Sequence, residues 1–199
     1  MRHLGPADYR VMPWKDGGGV TTEVYARPDG GTTPGWAWRV SIADVSADGP
    51  FSRFSGYDRH IMCIEGSGMI LHGGPDGPID VGQRFVPRRF SGDWPIQAAL
   101  VSEPIRDFNL IVRSADWIGS LTSLVATGSI RLAAEAGCCL AYSFGPADGQ
   151  PSSTGRISAA KPWVLHENSA LLLESGEEAW IEGAAPVPWR YAVCRLVPV

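Results

Sequence analysis

No stretch of this sequence gathers five or more lysines and arginines, and its net charge is -4 with a pI near 5.5. A partner with a phosphate backbone needs the basic footprint that is missing here, so a nucleic-acid role is not expected. Equally absent is any uninterrupted apolar run of 18 residues, and the opening MRHLGPADYR has no apolar segment of the kind a secretory signal carries. These absences predict a soluble chain with no signal peptide, no transmembrane span and no membrane partner. Cys63, Cys138, Cys139 and Cys194 have neither CxxC spacing nor a short secreted framework around them, which predicts buried free thiols in a reducing cytoplasm.

Several chemistries lack their residues. His3, His60, His72 and His166 are scattered, with no HxH or HExxH among them, so no bound metal is expected. His60 and His72 could meet across a hairpin, but they would have no clear third ligand. A Walker phosphate loop closes on Gly-Lys-Ser/Thr ahead of a helix, whereas here Lys15 precedes the glycines and Val20 to Tyr25 reads as a strand. There is no GxSxG elbow and no cysteine in a nucleophile context. No cofactor is expected.

What is present is a succession of short apolar segments. Hydrophobic residues make up 44% of the chain, and glycine and proline together about a fifth, which is below the level that signals disorder. WAWRVSIADV (36–45) alternates, with Trp36, Trp38, Val40 and Ile42 on one face and Ala37, Arg39, Ser41 and Ala43 on the other. RHIMCIEGSGMILHG (59–73) reads as a hairpin about Gly66-Ser67-Gly68. Further strands are expected at 97–102, 107–113, 118–126, 137–144, 170–175, 178–183 and 191–197, with RLAAEA (131–136) the one weak helix candidate. Many short strands between Gly and Pro turns predict an all-β sandwich or barrel. IEGSGMILHG (64–73) and LESGEEAWIEG (173–183) share an acid and a Ser/Gly turn between apolar strands, suggesting two related β halves, 1–115 and 116–199, that meet near Ser114 to Trp117. GPADGQPSSTG (145–155) reads as an exposed loop.

Four polar clusters stand out in the first half: PWKDGGGVTTE (13–23), FSRFSGYDR (51–59), SGDW (91–94) and RDFN (106–109). Any one of them could be no more than a capped turn. PWKDGGGVTTE, WRVSIADV, GPFSRFSGYDR, FSGDWP and DFNLIVR, taken in that order, resemble the motifs of the HutD/Ves family across residues 13–113; beyond them only the general β pattern matches. The resemblance implies a cupin-like (RmlC-like) double-stranded β-helix with two barrel-like halves, a bicupin, and no metal. It also implies an association with histidine utilisation, in which a pathway intermediate is bound and flux restrained. One departure is that Asp16 stands where the family has Asn, and an ionised Asp only accepts hydrogen bonds.

Within that frame Gly17, Gly18 and Gly19 would let the backbone approach a ligand or a neighbouring loop closely, flanked by Trp14, Thr21 and Glu23. Lys15 with Arg39 or Arg59 would supply positive charge, while Asp107 and Asn109 orient them or bond the ligand. The expected ligand is a small carboxylate; formylglutamate, formiminoglutamate and urocanate fit the family association, and a homodimer is compatible with it. Purely structural roles stand beside these. Lys15 or Arg59 could pair with Asp16 or Asp58, and Trp14 and Trp94 could simply pack. Two rival classes are an acid-base enzyme using His60, Glu23 and Lys15, and a module that binds another protein through its surface.

Overall fold

The structure, a computed structural model, describes residues 1–14, 17–28, 30, 35–102, 104–148, 153–154 and 162–199. In chain order the strands are β1 (Arg2–Leu4), β2 (Arg10–Pro13), β3 (Gly19–Pro28), β4 (Trp36–Val45), β5 (Gly49–Pro50), β6 (Tyr57–Glu65), β7 (Met69–His72), β8 (Ile79–Asp80), β9 (Arg88–Ser91) and β10 (Gln97–Leu100). They continue as β11 (Ile105–Arg113), β12 (Trp117–Thr127), β13 (Ile130–Ala133), β14 (Cys138–Pro146), β15 (Ser153–Thr154), β16 (Trp163–Leu165), β17 (Ser169–Leu173), β18 (Glu178–Gly183) and β19 (Trp189–Pro198). Among the described residues no helix is long and apolar enough to cross a membrane.

The chain divides into two compact units, an N-terminal one of Tyr9–Gly119 joined by Val199, and a C-terminal one of Ser120–Pro198 that also holds Met1–Asp8. The first eight residues group with the C-terminal unit because β1 pairs antiparallel with β17, Arg2 opposite Leu172. In the N-terminal unit a six-stranded sheet, β2-β3-β4-β11-β6-β9, accompanies a four-stranded sheet, β5-β10-β7-β8. The C-terminal unit repeats the plan with β1-β17-β14-β19-β12-β15 and a three-stranded sheet, β13-β18-β16. This is the all-β, two-barrel cupin arrangement that the resemblance implied.

Each unit has its own core. In the N-terminal unit Val45, Ile61, Cys63 and Ile105 of the larger sheet pack with Met69, Leu71, Val81, Ile96 and Ala98. In β4, β6 and β11 both faces are buried: Trp38, Val40, Met62, Phe108 and Leu110 on the opposite face are also removed from water. All four cysteines are free and buried.

Two expectations are corrected. The segment 59–73 is not a hairpin, because β6 pairs with β11 and β9 while β7 pairs with β10 and β8. Gly66 and Gly68 do take positive φ, 84° and 82°, but they carry the chain between sheets. A Cβ on Gly68 would lie 2.4 Å from the Gly82 Cα, so the corner is packed as well as turned. His60 and His72 accordingly lie on strands that do not pair with each other. RLAAEA is not helical either; Arg131 to Ala133 belong to β13, which pairs antiparallel with β18, because strand pairing overrides a weak local preference. The second half's LESGEEAWIEG is again a corner, with β17 in the six-stranded sheet and β18 in the three-stranded one. The similarity read between the two stretches thus reflects one repeated device.

Candidate functional site

The inward face of the larger N-terminal sheet changes character along its strands. Side chains alternate in a strand, so β4 turns Arg39, Ser41 and Ala43 to one side and β11 turns Asp107, Asn109 and Ile111 to the same side. The register confirms this by placing Ser41 opposite Asn109, and Ala43 opposite Asp107. On β6, Arg59 lies opposite Ile111 and Ile61 opposite Asn109. At one end this face is apolar core; at the other it opens into a cavity of about 410 Å³. The walls are Arg39, Ser41, Ala43, Asp107, Asn109, Ile111 and Arg59 from the sheet, Pro13, Trp14 and Thr21 from the β2–β3 region, and Pro50, Phe51, Ser52 and Phe54 after β4.

A hydrogen-bonded chain runs across the floor. Arg59, 5% exposed, donates from Nη1 to the Ser52 carbonyl and from Nη2 to Asn109 Oδ1, both at 3.2 Å. The Asn109 amide donates in turn to Asp107 Oδ1. Two atoms are left over: among the described residues neither Arg59 Nε nor Asp107 Oδ2 has a partner, though both are buried. The guanidinium of Arg59 is packed between rings, with Phe51 and Phe90 at 5.0 Å and Phe54 at 5.4 Å. Arg39 lies over Trp36 at 4.9 Å and Phe54 at 5.4 Å, and its buried Nε is also unpartnered.

Burial governs the charges here. It brings Arg59 down to about 10, against the Asp107 carboxylate, which favours the charged form, and Arg39 disfavours that form further. Arg39 is lowered by the same cause, partly offset by Glu23. Asp107 is pushed up to about 7 by burial, although the Asn109 hydrogen bond and the Arg59 charge both pull it down. The cavity therefore holds two arginines and a carboxyl that is half protonated near neutrality.

The loops around the mouth explain two of the polar clusters. Phe51 donates its backbone N–H to the Ile96 carbonyl and Phe54 to that of Gly92, each at 2.9 Å, while Gly92 donates to Tyr57 at 2.7 Å. Asp93 accepts from the Gly56 N–H at 3.0 Å, and its carbonyl accepts from Arg53 at 2.8 Å. A Cβ on Gly92 would lie 2.3 Å from the Phe54 carbonyl. FSRFSGYDR and SGDW thus lock each other, and in doing so present Phe51, Ser52 and Phe54 to the cavity.

The structure brings together Trp14, Thr21, Arg39, Arg59, Asp107 and Asn109 from the sequence expectation. Trp14 both lines the cavity and donates from Nε1 to Thr21 Oγ1 at 2.8 Å. Gly17, Gly18 and Gly19 do not line it. Gly17 takes a positive φ of 75°, the Gly18 carbonyl accepts from the Ser46 N–H at 3.0 Å, and a Cβ on Gly19 would meet the Asp44 carbonyl at 2.3 Å. Close approach is what the loop uses its glycines for, and the object approached is the end of β4. Glu23 is half-buried and acts on Arg39 without lining the cavity. His60 follows Arg59 along β6 and so faces the other side; burial and the nearby Arg89 lower its pKa, with Asp58 opposing. Asp58 pairs with Arg89 at 2.7 Å. Lys15 and Asp16, with the Asn-to-Asp departure, lie outside the described residues. Among the described residues no three His, Cys, Asp or Glu side chains are grouped as metal ligands.

Sequence reasoning singled out the cluster that holds Phe51, Ser52 and Phe54 without assigning those residues to the site, and it did not assign Ser41 or Ile111 either. Strand parity alone marks Ser41 and Ile111, since each lies two residues from a residue already singled out on its strand.

A family model described as HutD matches residues 6–187. An uncharacterized 21.2 kDa protein in the hutC 3' region of Pseudomonas putida is 43% identical over 110 residues, 54% of this chain and 56% of that protein. The chain thus spans little more than half the length of that relative. HutD from Pseudomonas fluorescens SBW25 is 27% identical with a TM-score of 0.72, covering 100% of this chain and 98% of that one. A cupin 2 conserved barrel domain protein from Leptotrichia buccalis is 9% identical with a TM-score of 0.51, covering 89% and 88%, a likeness of fold alone.

Proposed function

This chain belongs to the HutD family, and from that premise we propose that its N-terminal barrel binds a small carboxylate metabolite in a regulatory role. One observation carries the reading: Arg59 is buried at the floor of an open cavity, its Nε without a partner among the described residues, and a second, half-buried arginine, Arg39, lines the same cavity. A buried guanidinium is costly unless its donors and its charge are met. A carboxylate meets both through a charge-assisted, forked contact, and the aromatic walls suit a short carbon skeleton. The name of the Pseudomonas putida relative places that protein beside hutC, which supports an intermediate of histidine degradation as the metabolite. Formylglutamate, formiminoglutamate and urocanate are the candidates to try.

Thermal shift against these compounds tests the reading, since a ligand at 100 times its dissociation constant stabilises the native state by about 2.7 kcal/mol. Arg59→Lys keeps the charge but loses the fork, and should weaken calorimetric affinity by about 1.5–3 kcal/mol, roughly tenfold to a hundredfold. Unchanged affinity would remove Arg59 from the site.

A second reading has its own support. Asp107, at about 7 and lining the cavity, is suited to move a proton at neutral pH, which makes acid-base turnover of the bound carboxylate the competing function. Asp107 replaces His60 as its candidate, because His60 faces away. Product formation during incubation with the bound compound, abolished by Asp107→Asn, would establish it.

A further inference from the structure

We propose that the anion site is proton-linked: a carboxylate entering the cavity drives protonation of Asp107, whose Oδ2–H then bonds an acceptor oxygen on the ligand. This rests on the cavity being an anion site, and adds what the ligand must offer and how its affinity responds to pH.

The argument starts from the direction of the hydrogen bonds. Arg59 donates to Asn109 Oδ1, and Asn109 donates to Asp107 Oδ1. Every donor in this chain points towards Asp107, and the chain ends at Oδ2, which is buried, has no partner among the described residues and sits on a residue only 1% exposed. Ionised, Oδ2 is a buried anionic acceptor with no donor; protonated, it is a donor with no acceptor. Neither state is complete without something in the cavity.

The charges facing Asp107 decide which state an anion selects. Arg59 on β6 favours the ionised form, Asp44 on β4 opposes it, and Cys63 lies nearby on β6 as a thiol whose own pKa is raised. Arg39 on β4 adds positive charge at the other side of the cavity, itself facing Glu23 on β3. Without ligand these influences and burial balance near neutrality. An anion on the arginines neutralises the positive field that favoured ionised Asp107 and adds a like charge beside it. Both changes favour the acid, so Asp107 carboxylate, one solvent proton and the anion combine into a neutral acid hydrogen-bonded to the bound ligand. No other bond forms or breaks. The ligand is thereby a carboxylate with a second oxygen acceptor, carbonyl or carboxylate, and without a cationic group at the Asp107 end.

Linkage fixes the sign: affinity is flat below the ligand-free value of about 7 and falls as pH rises through it, by up to tenfold per unit. The test is titration calorimetry with N-formyl-L-glutamate and glutarate, at pH 6.5, 7.5 and 8.5, in buffers of different ionisation enthalpy. The native protein should take up a substantial fraction of one proton at pH 7.5 and bind more weakly at 8.5. Asp107→Asn offers an N–H permanently, so its proton uptake should vanish and its affinity should be level with pH, exceeding the native value at 8.5. Binding without proton exchange, proton release on binding, or uptake persisting in Asp107→Asn would each overturn the proposal while leaving the anion site standing. Failure of both probes to bind either protein at any pH would overturn the anion site as well. The native measurement stands even if the variant does not fold.

Discussion

The two barrels use one plan to opposite ends. In the N-terminal unit the inward positions of the central strands become polar towards one end, and a cavity of about 410 Å³ lies there. In the C-terminal unit Cys139 and Ala141 of β14, Leu171 and Leu173 of β17 and Val193 of β19 are buried in one apolar cluster, with Trp189 and Tyr191 filling it. Three polar atoms of this unit, Ser143 Oγ, Trp189 Nε1 and Tyr191 OH, are buried with no partner among the described residues, and none of them belongs to a charged side chain. The difference teaches that the double-sheet frame does not specify a site. What specifies it is a few inward positions given to arginine, aspartate and asparagine, together with a hydrogen-bonded loop that presents Phe51, Ser52 and Phe54 to them.

If the C-terminal interior serves only to hold its sheets together, truncating it should be costly. Leu171→Ala, at a fully buried position, is expected to destabilise by about 2–5 kcal/mol in urea denaturation; a loss below 1 kcal/mol would mean that this interior is loosely filled, like its counterpart. The next contrast is between a polar group kept for a site and one kept for the fold. Burial pushes the Asp107 carboxyl up to about 7 in the folded protein, from an ordinary value of 3.8. Its contribution to stability is fully present below the lower value and is lost as pH rises through the upper one. Asp107→Asn should therefore change little at pH 3.5 and stabilise at pH 8, by on the order of 1–4 kcal/mol, as measured by paired denaturation curves. An equal effect at both pH values would show that the carboxyl is not held up by the fold.

Gly19→Ala probes where the site ends and the frame begins. Its Cβ would meet the Asp44 carbonyl at 2.3 Å and the Trp14 ring at 3.0 Å, and overpacking of this kind costs about 1–3 kcal/mol, read as a lower melting temperature. The smallest effect belongs to the C-terminal barrel. Tyr191 has a buried hydroxyl with no partner among the described residues, its pKa pushed up by burial and Glu182, so Tyr191→Phe should be neutral or stabilising by about 1 kcal/mol. Marked destabilisation would reveal a polar role for that hydroxyl and narrow the contrast between the barrels.

Much of this contrast is written in strand parity. Alternation in WAWRVSIADV and DFNLIVR put Arg39, Asp107 and Asn109 on strands, and the sheet register then set them side by side. Parity also separates Arg59 from His60, neighbours on one strand that must face opposite ways. Strand partners were harder to read. RHIMCIEGSGMILHG has the composition of a hairpin, and only the packing of Gly68 against Gly82 distinguishes a corner between sheets. Short edge strands such as β1, β8 and β16 have too few residues to show a period. The Ser52 carbonyl that receives Arg59 is a backbone atom, and no side-chain pattern announces it.

The pairing of Arg2 with Leu172 has a consequence for how the molecule is made. β1 is claimed by a partner about 170 residues further along the sequence, so the N-terminal unit is inserted, in sequence, between two pieces of the other. Closing so long a loop carries an entropic cost that grows only slowly with length, but it imposes an order of events. The N-terminal unit's own strands are contiguous in sequence, whereas β1 must wait for β17. A fragment beginning at Ser120 would expose β17 as an unpaired edge, open to the same edge of another copy. Intact preparation of the C-terminal barrel alone therefore calls for a permuted chain in which the first eight residues follow the last strand.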